Sequence, residues 1–207
     1  MLVDSEPIGH RVLVRMLAAE GLPMTIEQAR VEYQGLLLSE VADKVGESLG
    51  RPLAPGWMDG YERERSEAFR SELQPVPGAR EAVRAVAAAG VAVCVASQGS
   101  LEKTGLSLAL TGLDEHLPPA RRFSAHDMER GKPHPDLFLH AAATMGVEPG
   151  RCAVVEDTTI GVTAAVRAGM RAVGFAAETD AASLRAAGAE AIASLEQLPT
   201  LLGLAGA

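Results

Sequence analysis

The sequence is poor in lysine. Of its 19 basic residues only Lys44, Lys103 and Lys132 are lysines, and the other 16 are arginines. Abundant Ala, Arg and Gly read as a coding bias, so each lysine weakly marks a place where arginine would not serve. Positive charge is also in deficit. The formal net charge is -8, which argues against a general nucleic-acid or anionic-membrane binder, because such proteins carry a basic face. Small anionic substrates stay compatible, since a metal ion and a few donors can hold them. No apolar run approaches the roughly 20 residues that span a bilayer. No basic stretch followed by an apolar one opens the chain in the manner of a signal peptide. Cysteine is limited to Cys94 and Cys152, distant in sequence and in no CxxC arrangement. Two reduced core thiols in a cytoplasmic protein are the expected reading. A monomer is the expected state.

What is present suffices for one sizeable core, or one core with a small subdomain: 207 residues, 47% of them hydrophobic. There is no internal repeat or low-complexity linker, but the pattern changes near Pro75–Gly78. Before that point it is helical. Ile8, Val12, Met16 and Leu17 fall at helical spacing over residues 6–20, and Gly21 follows as a stop. Thr25-Ile-Glu-Gln28 reads as a capping box. Ser39 is expected to cap a helix with Val41, Val45 and Leu49 on one face, ending at Gly50. A charged helix fits residues 57–73. With no good strand, this stretch predicts a small helical bundle.

After Pro77 helix and strand alternate. Helices are predicted over 79–89, 101–110, 135–145 and 159–168. Strands are predicted over 91–96, 122–124, 153–155, 171–175 and, weakly, 189–193. The apolar runs Val91–Ala96 and Ala153–Val155 read as buried parallel strands. Repeated strand–helix units imply a parallel α/β sheet covered on both faces, with chemistry at the carboxyl ends of the strands.

Three of those ends carry polar groups. Ser97-Gln98-Gly99-Ser100 places a small hydroxyl directly after a strand, where turn N–H groups attract an oxyanion. Either serine serves equally well as a plain helix cap. Gly131-Lys132-Pro133-His134-Pro135 holds Lys132 in a proline-stiffened loop, a rigid point charge suited to a phosphate or a carboxylate. The alternative is a solvated loop lysine. Glu156-Asp157-Thr158 ends a strand with adjacent carboxylates, which need a compensating cation or donors. Oxygen ligands on short side chains suit Mg²⁺, which takes one or two protein carboxylates beside water and phosphate. Against this, Asp157 would merely cap the next helix. In combination, an anion donor, a fixed cation and a divalent metal site describe phosphoryl transfer.

These motifs resemble the haloacid dehalogenase superfamily, in the branch of helical-capped sugar phosphatases and β-phosphoglucomutase-like proteins. The resemblance covers nearly the whole chain. It implies a Rossmann-like parallel-sheet core over residues 1–7 and 76–207, with an inserted α-helical cap over 8–75. The cap would be hinged near Asp4–Glu6 and Pro75–Gly78. It further implies that Ser97 and Gln98 bind the transferring phosphoryl group, that Lys132 steadies it and the nucleophile, and that Glu156 and Asp157 hold Mg²⁺. Gln34 and Gly35 would sit in the cap's specificity loop. That loop carries no Lys or Arg, whereas a mutase would need cations for a second phosphate.

The family's first motif is an apolar strand ending in Asp-x-Asp-Gly-(Thr or Val)-Leu-Val-Asp-Ser-Glu. This chain supplies Leu2-Val3-Asp4-Ser5-Glu6. By the resemblance, the nucleophilic Asp, the acid/base Asp and the central strand that bears them precede Met1. Asp4 and Glu6 then belong to the entry of the first cap helix. Strands 91–96 and 153–155 would each be left with an unpaired edge. A misassigned start, with a Val codon read as the initiator, is the expected origin, and translating the upstream codons in frame tests it. The function implied is a Mg²⁺-dependent phosphatase of a small phosphorylated metabolite, a sugar phosphate foremost. The chain as given would be inactive. The alternatives are a non-catalytic remnant that binds phosphate or a partner, and a sugar phosphate mutase.

Overall fold

The computed structural model describes residues 1–33 and 36–204. Two compact units emerge, one of Asp4–Gln74 and one of Met1–Val3 with Pro75–Ala207. The boundary follows the backbone hydrogen bonds. Val3 bridges Pro75 in antiparallel fashion, and the Val76 N–H donates to Leu2 O at 3.0 Å. Those contacts keep Met1–Val3 with the later residues, so the units divide a few residues before the expected 7/8 boundary. No helix among the described residues is long and apolar enough to cross a membrane.

The regular elements among the described residues of the first unit are helices: α1 (Glu6–Ala19), α2 (Ile26–Tyr33), α3 (Leu38–Leu49) and α4 (Trp57–Glu72). Leu17 and Val45 are fully buried, packed with Val12, Ala29, Val41, Trp57 and Tyr61. Burying an aliphatic side chain of this size contributes roughly 1.5–3 kcal/mol. The capping box forms as the sequence predicts. The Thr25 N–H donates to Gln28 Oε1 at 2.8 Å, and the Gln28 N–H donates to Thr25 Oγ1 at 3.2 Å. The predicted Ser39 cap does not form. Helix α3 already includes Leu38, and the Glu40 carboxylate reaches back to the Leu37 N–H at 2.6 Å. Glu40 thus supplies the reach-back half of a capping box whose first half has no hydroxyl. Gly50 closes α3 in the left-handed region at φ 64.

The second unit alternates: α5 (Ala79–Ala88), β1 (Val95–Ser97), α6 (Leu101–Leu110), β2 (Arg122–Ser124), α7 (Asp136–Met145), β3 (Ala153–Glu156), α8 (Thr159–Arg167), β4 (Arg171–Phe175), α9 (Ala181–Ala186), β5 (Glu190–Ile192) and α10 (Leu198–Leu201). Among the described residues the strands β1 to β5 pair in parallel. They form two sheets, β1-β2 and β3-β4-β5. Ala96 and Val154 pack against one cluster built from Phe138 of α7 and Val162, Ala164 and Ala165 of α8. Leu2 packs against clusters beneath both sheets.

Two predicted strands need correction. Val91–Ala96 contracts to Val95–Ser97, and Val91 and Ala92 are exposed. Ala153 is exposed, and Val154 and Val155 are only half-buried. Among the described residues β1 pairs with β2 alone and β3 with β4 alone, so each has one flank without a neighbouring strand. Strand β4 is paired on both sides, and its residues 172–175 are all buried.

Candidate active site

The three polar strand ends meet through one side chain. Lys132 Nζ donates to Ala96 O, the carbonyl just before Ser97 in β1, at 3.1 Å. The same ammonium pairs with Glu156 Oε1 at the end of β3. Only 8% of the Lys132 side chain and 11% of the Glu156 side chain are exposed, so this is a buried ion pair. The Phe138 ring supports the ammonium from 4.8 Å, a cation–π contact. A buried pair is tolerable only when both charges have partners. Lys132 has a carboxylate, a carbonyl and a ring.

Glu156 takes this position because residue 161 is glycine. A Cβ there would lie 2.2 Å from Glu156 Oε2, far inside contact distance. Asp157 is not consumed as a cap. Thr158 caps α8 instead, its Oγ1 accepting the Gly161 N–H at 3.1 Å. The Asp157 side chain is 33% exposed, and Oδ2 lies 3.0 Å from the Met1 amino group.

The serines divide their roles in the same way. Ser100 caps α6, accepting the Lys103 N–H at 3.2 Å. Ser97 Oγ accepts the Gly99 N–H at 3.0 Å, which leaves its own proton to donate. Gln98 turns toward the lysine loop. Its Oε1 accepts the Lys132 backbone N–H at 3.2 Å. Gln34 and Gly35, expected in the specificity loop, lie outside the described residues.

Two neighbours of the site, Ser124 and Phe138, have no role in the sequence reading. Ser124, at the end of β2, is buried and donates from Oγ to Gly99 O at 2.9 Å, pinning the turn after β1. It is a hydroxyl at a strand end, as Ser97 is, so the same rule finds it. Phe138 lies six residues past Lys132 on the next helix and carries no polar signal.

The donor set suits Mg²⁺ and not a closed protein cage. Among the described residues no group of three or more His, Cys, Asp or Glu is placed to hold a metal. One partly exposed carboxylate, Asp157, would fit an ion that takes one or two carboxylates and fills its shell with water and phosphate. The thiols stand apart. Both are free, and burial pushes the Cys94 and Cys152 thiols up from their ordinary value.

Comparison with known proteins places the chain in a family. The sequence is 32% identical over 201 residues to the 6-phosphogluconate phosphatase of Escherichia coli (strain K12), covering 97% of this chain and 89% of that protein. It is 29% identical to hexitol phosphatase B of the same organism, covering 84% and 78%. The fold superposes with TM-score 0.76 on the crystal structure of a HAD family hydrolase from Deinococcus radiodurans R1 with bound phosphate and sodium. That match has 30% identity and covers 98% of this chain and 92% of the other. The family described as haloacid dehalogenase-like hydrolase matches residues 2–169, and the chain therefore belongs to the haloacid dehalogenase-like hydrolases.

Proposed function

We propose that the protein is a Mg²⁺-dependent phosphoric monoester hydrolase acting on a small sugar phosphate. One observation carries the reading: Lys132 joins the Ser97 end of β1 to the Glu156–Asp157 end of β3, so a donor, a cation and an acid pair converge. The names of the similar proteins, 6-phosphogluconate phosphatase and hexitol phosphatase B, point to sugar phosphates as the class.

The residues divide the work by their surroundings. The Ser97 hydroxyl and the N–H groups of the following turn donate to phosphoryl oxygens. Lys132 supplies a fixed positive charge, partly offset by its pairing with Glu156. Asp157 would hold Mg²⁺, with Glu156 behind it. Bound there, the ion supplies charge stabilisation of the phosphoryl oxygens. In the same proposal an aspartate carboxylate attacks phosphorus, the P–O bond to the sugar breaks and the sugar leaves as its alcohol, and water then hydrolyses the aspartyl-phosphate to orthophosphate and free aspartate. Glu156 is committed to Lys132 and Asp157 to the cation, so neither takes that role. A cytoplasmic setting suits the two free thiols.

Orthophosphate release from a panel of hexose, hexitol and sugar-acid phosphates tests the reading, with Mg²⁺ and with EDTA. The panel is run on the 207-residue chain and on the chain extended upstream in frame. Release that needs Mg²⁺ and disappears in Lys132→Met is expected from the extended chain. If neither releases phosphate from any member, the hydrolase reading fails. Conversion of a sugar 1-phosphate without net phosphate release would point to a mutase.

A further inference from the structure

We propose that Gln98 is a positioning residue. It fastens the backbone of the Lys132 loop to the end of β1 and thereby sets where the ammonium stands. The inference rests on the phosphatase reading for its purpose, but its geometry does not.

The contact fixes the orientation of the amide. The partner is a backbone N–H, a donor, so the atom facing it at 3.2 Å must be the carboxamide oxygen. The rest of the amide lies on Gly131. A Cβ at that position would stand 3.1 Å from Gln98 Nε2 and 3.2 Å from Oε1. The closeness of the loop to Gln98 therefore depends on a glycine directly before the lysine. Both polar ends of the Gln98 side chain are turned to the loop.

The anchor itself is firm. On one side Ser97 Oγ holds the Gly99 N–H, and on the other the buried Ser124 hydroxyl holds the Gly99 carbonyl. The loop needs such an anchor, because Pro133 and Pro135 have no N–H to offer. Its remaining ties run to its own helix and to α8. Arg130 pairs with Asp136 at 3.0 Å, and Arg167 Nη1 donates to Pro133 O at 3.1 Å. Neither tie reaches β1.

Lys132 is thus held to the end of β1 at two points. Its backbone N–H is bound by the side chain of residue 98 and its ammonium by the carbonyl of residue 96. A lysine stem has many rotamers and loses much entropy when its head is fixed. Fixing the backbone end leaves less freedom to lose, so the ammonium is preorganised for an anion.

The test replaces the acceptor and then restores it. Gln98→Met keeps the length and removes the acceptor, and Gln98→Glu returns an oxygen to the same place. Amide hydrogen exchange at Lys132, followed residue by residue by NMR on the 207-residue chain, should quicken about tenfold in Gln98→Met and recover in Gln98→Glu. Trypsin cleavage after Arg130 should quicken with it. Exchange at Val173, deep in β4, should stay as in the parent chain. Unchanged Lys132 exchange in Gln98→Met would overturn the proposal. So would equal acceleration at Lys132 and Val173, which would make Gln98 a general stabiliser. Titration with orthophosphate keeps the two readings apart. If the parent chain binds none, the phosphate reading suffers, while the exchange result still decides the role of Gln98.

Discussion

Arg65 in the helical unit and Lys132 in the α/β unit are both buried cations, and they solve the same problem in opposite ways. In the helical unit Arg65 is 8% exposed. Its guanidinium lies 5.1 Å from the Tyr61 ring centroid and 5.9 Å from that of Phe69. Its nearest acid, Glu62, is 3.7 Å away, and its Nε has no hydrogen-bond partner among the described residues. In the α/β unit Lys132 has a carboxylate, a carbonyl and a ring. Arginine is planar and weakly hydrated, so stacking on aromatic faces satisfies much of what it loses. A lysine ammonium is compact and strongly hydrated, and it needs directed acceptors. The comparison separates a cation used as packing material from one held at an address. It also accounts for a lysine here in a chain so rich in arginine.

The comparison breaks most readily at Lys132. Lys132→Met leaves Glu156 buried without its partner, and urea unfolding should show a loss of about 3 kcal/mol. Lys132→Met with Glu156→Gln should recover most of that loss. If the double variant is no better than the single one, the pair is not the source. Gly161→Ala attacks the other partner, because the new Cβ would displace the Glu156 carboxylate. A loss of roughly 1–3 kcal/mol is expected; in a Glu156→Ala background, itself weakened by the unpaired Lys132, the same glycine change should cost little, since the carboxylate then no longer occupies the space. Thr25→Ala, in the helical unit, removes a cap and should cost about 1 kcal/mol. Arg65→Met should change stability by under about 1 kcal/mol in either direction, because a thioether packs well against Tyr61 and Phe69. A loss there as large as that of Lys132→Met would erase the distinction between the two cations.

Much of this architecture was legible in the sequence wherever a local rule acts alone. The Thr25–Gln28 box, the Gly50 stop and β4 follow from capping chemistry, left-handed glycine and an apolar run paired on both sides. The polar strand ends were legible too, and the structure brings Ser97, Lys132 and Glu156 to one place. Less legible was anything decided by a neighbour in space. Val91–Ala96 reads as a buried strand, but burial depends on what flanks a strand, and β1 has one partner. Whether Asp157 or Thr158 caps α8 could not be read, because both are good caps one residue apart. The direction of the Gln98 side chain depends on a glycine 33 positions away. Helices α9 and α10 span 6 and 4 residues, too short to show a period.

The cap at Thr158 has a consequence for ligand exchange. Had Asp157 capped α8, any cation drawing on its carboxylate would have competed with the first turn of that helix. Since Thr158 holds the Gly161 N–H, α8 starts in the same way whatever Asp157 holds. An ion held at Asp157 as proposed would still stabilise the unit by mass action, but its arrival and departure need not fray secondary structure. Under the proposed reading, loading and unloading of Asp157 would thereby be uncoupled from helix nucleation, and the scaffold could stay folded through repeated cycles of occupancy.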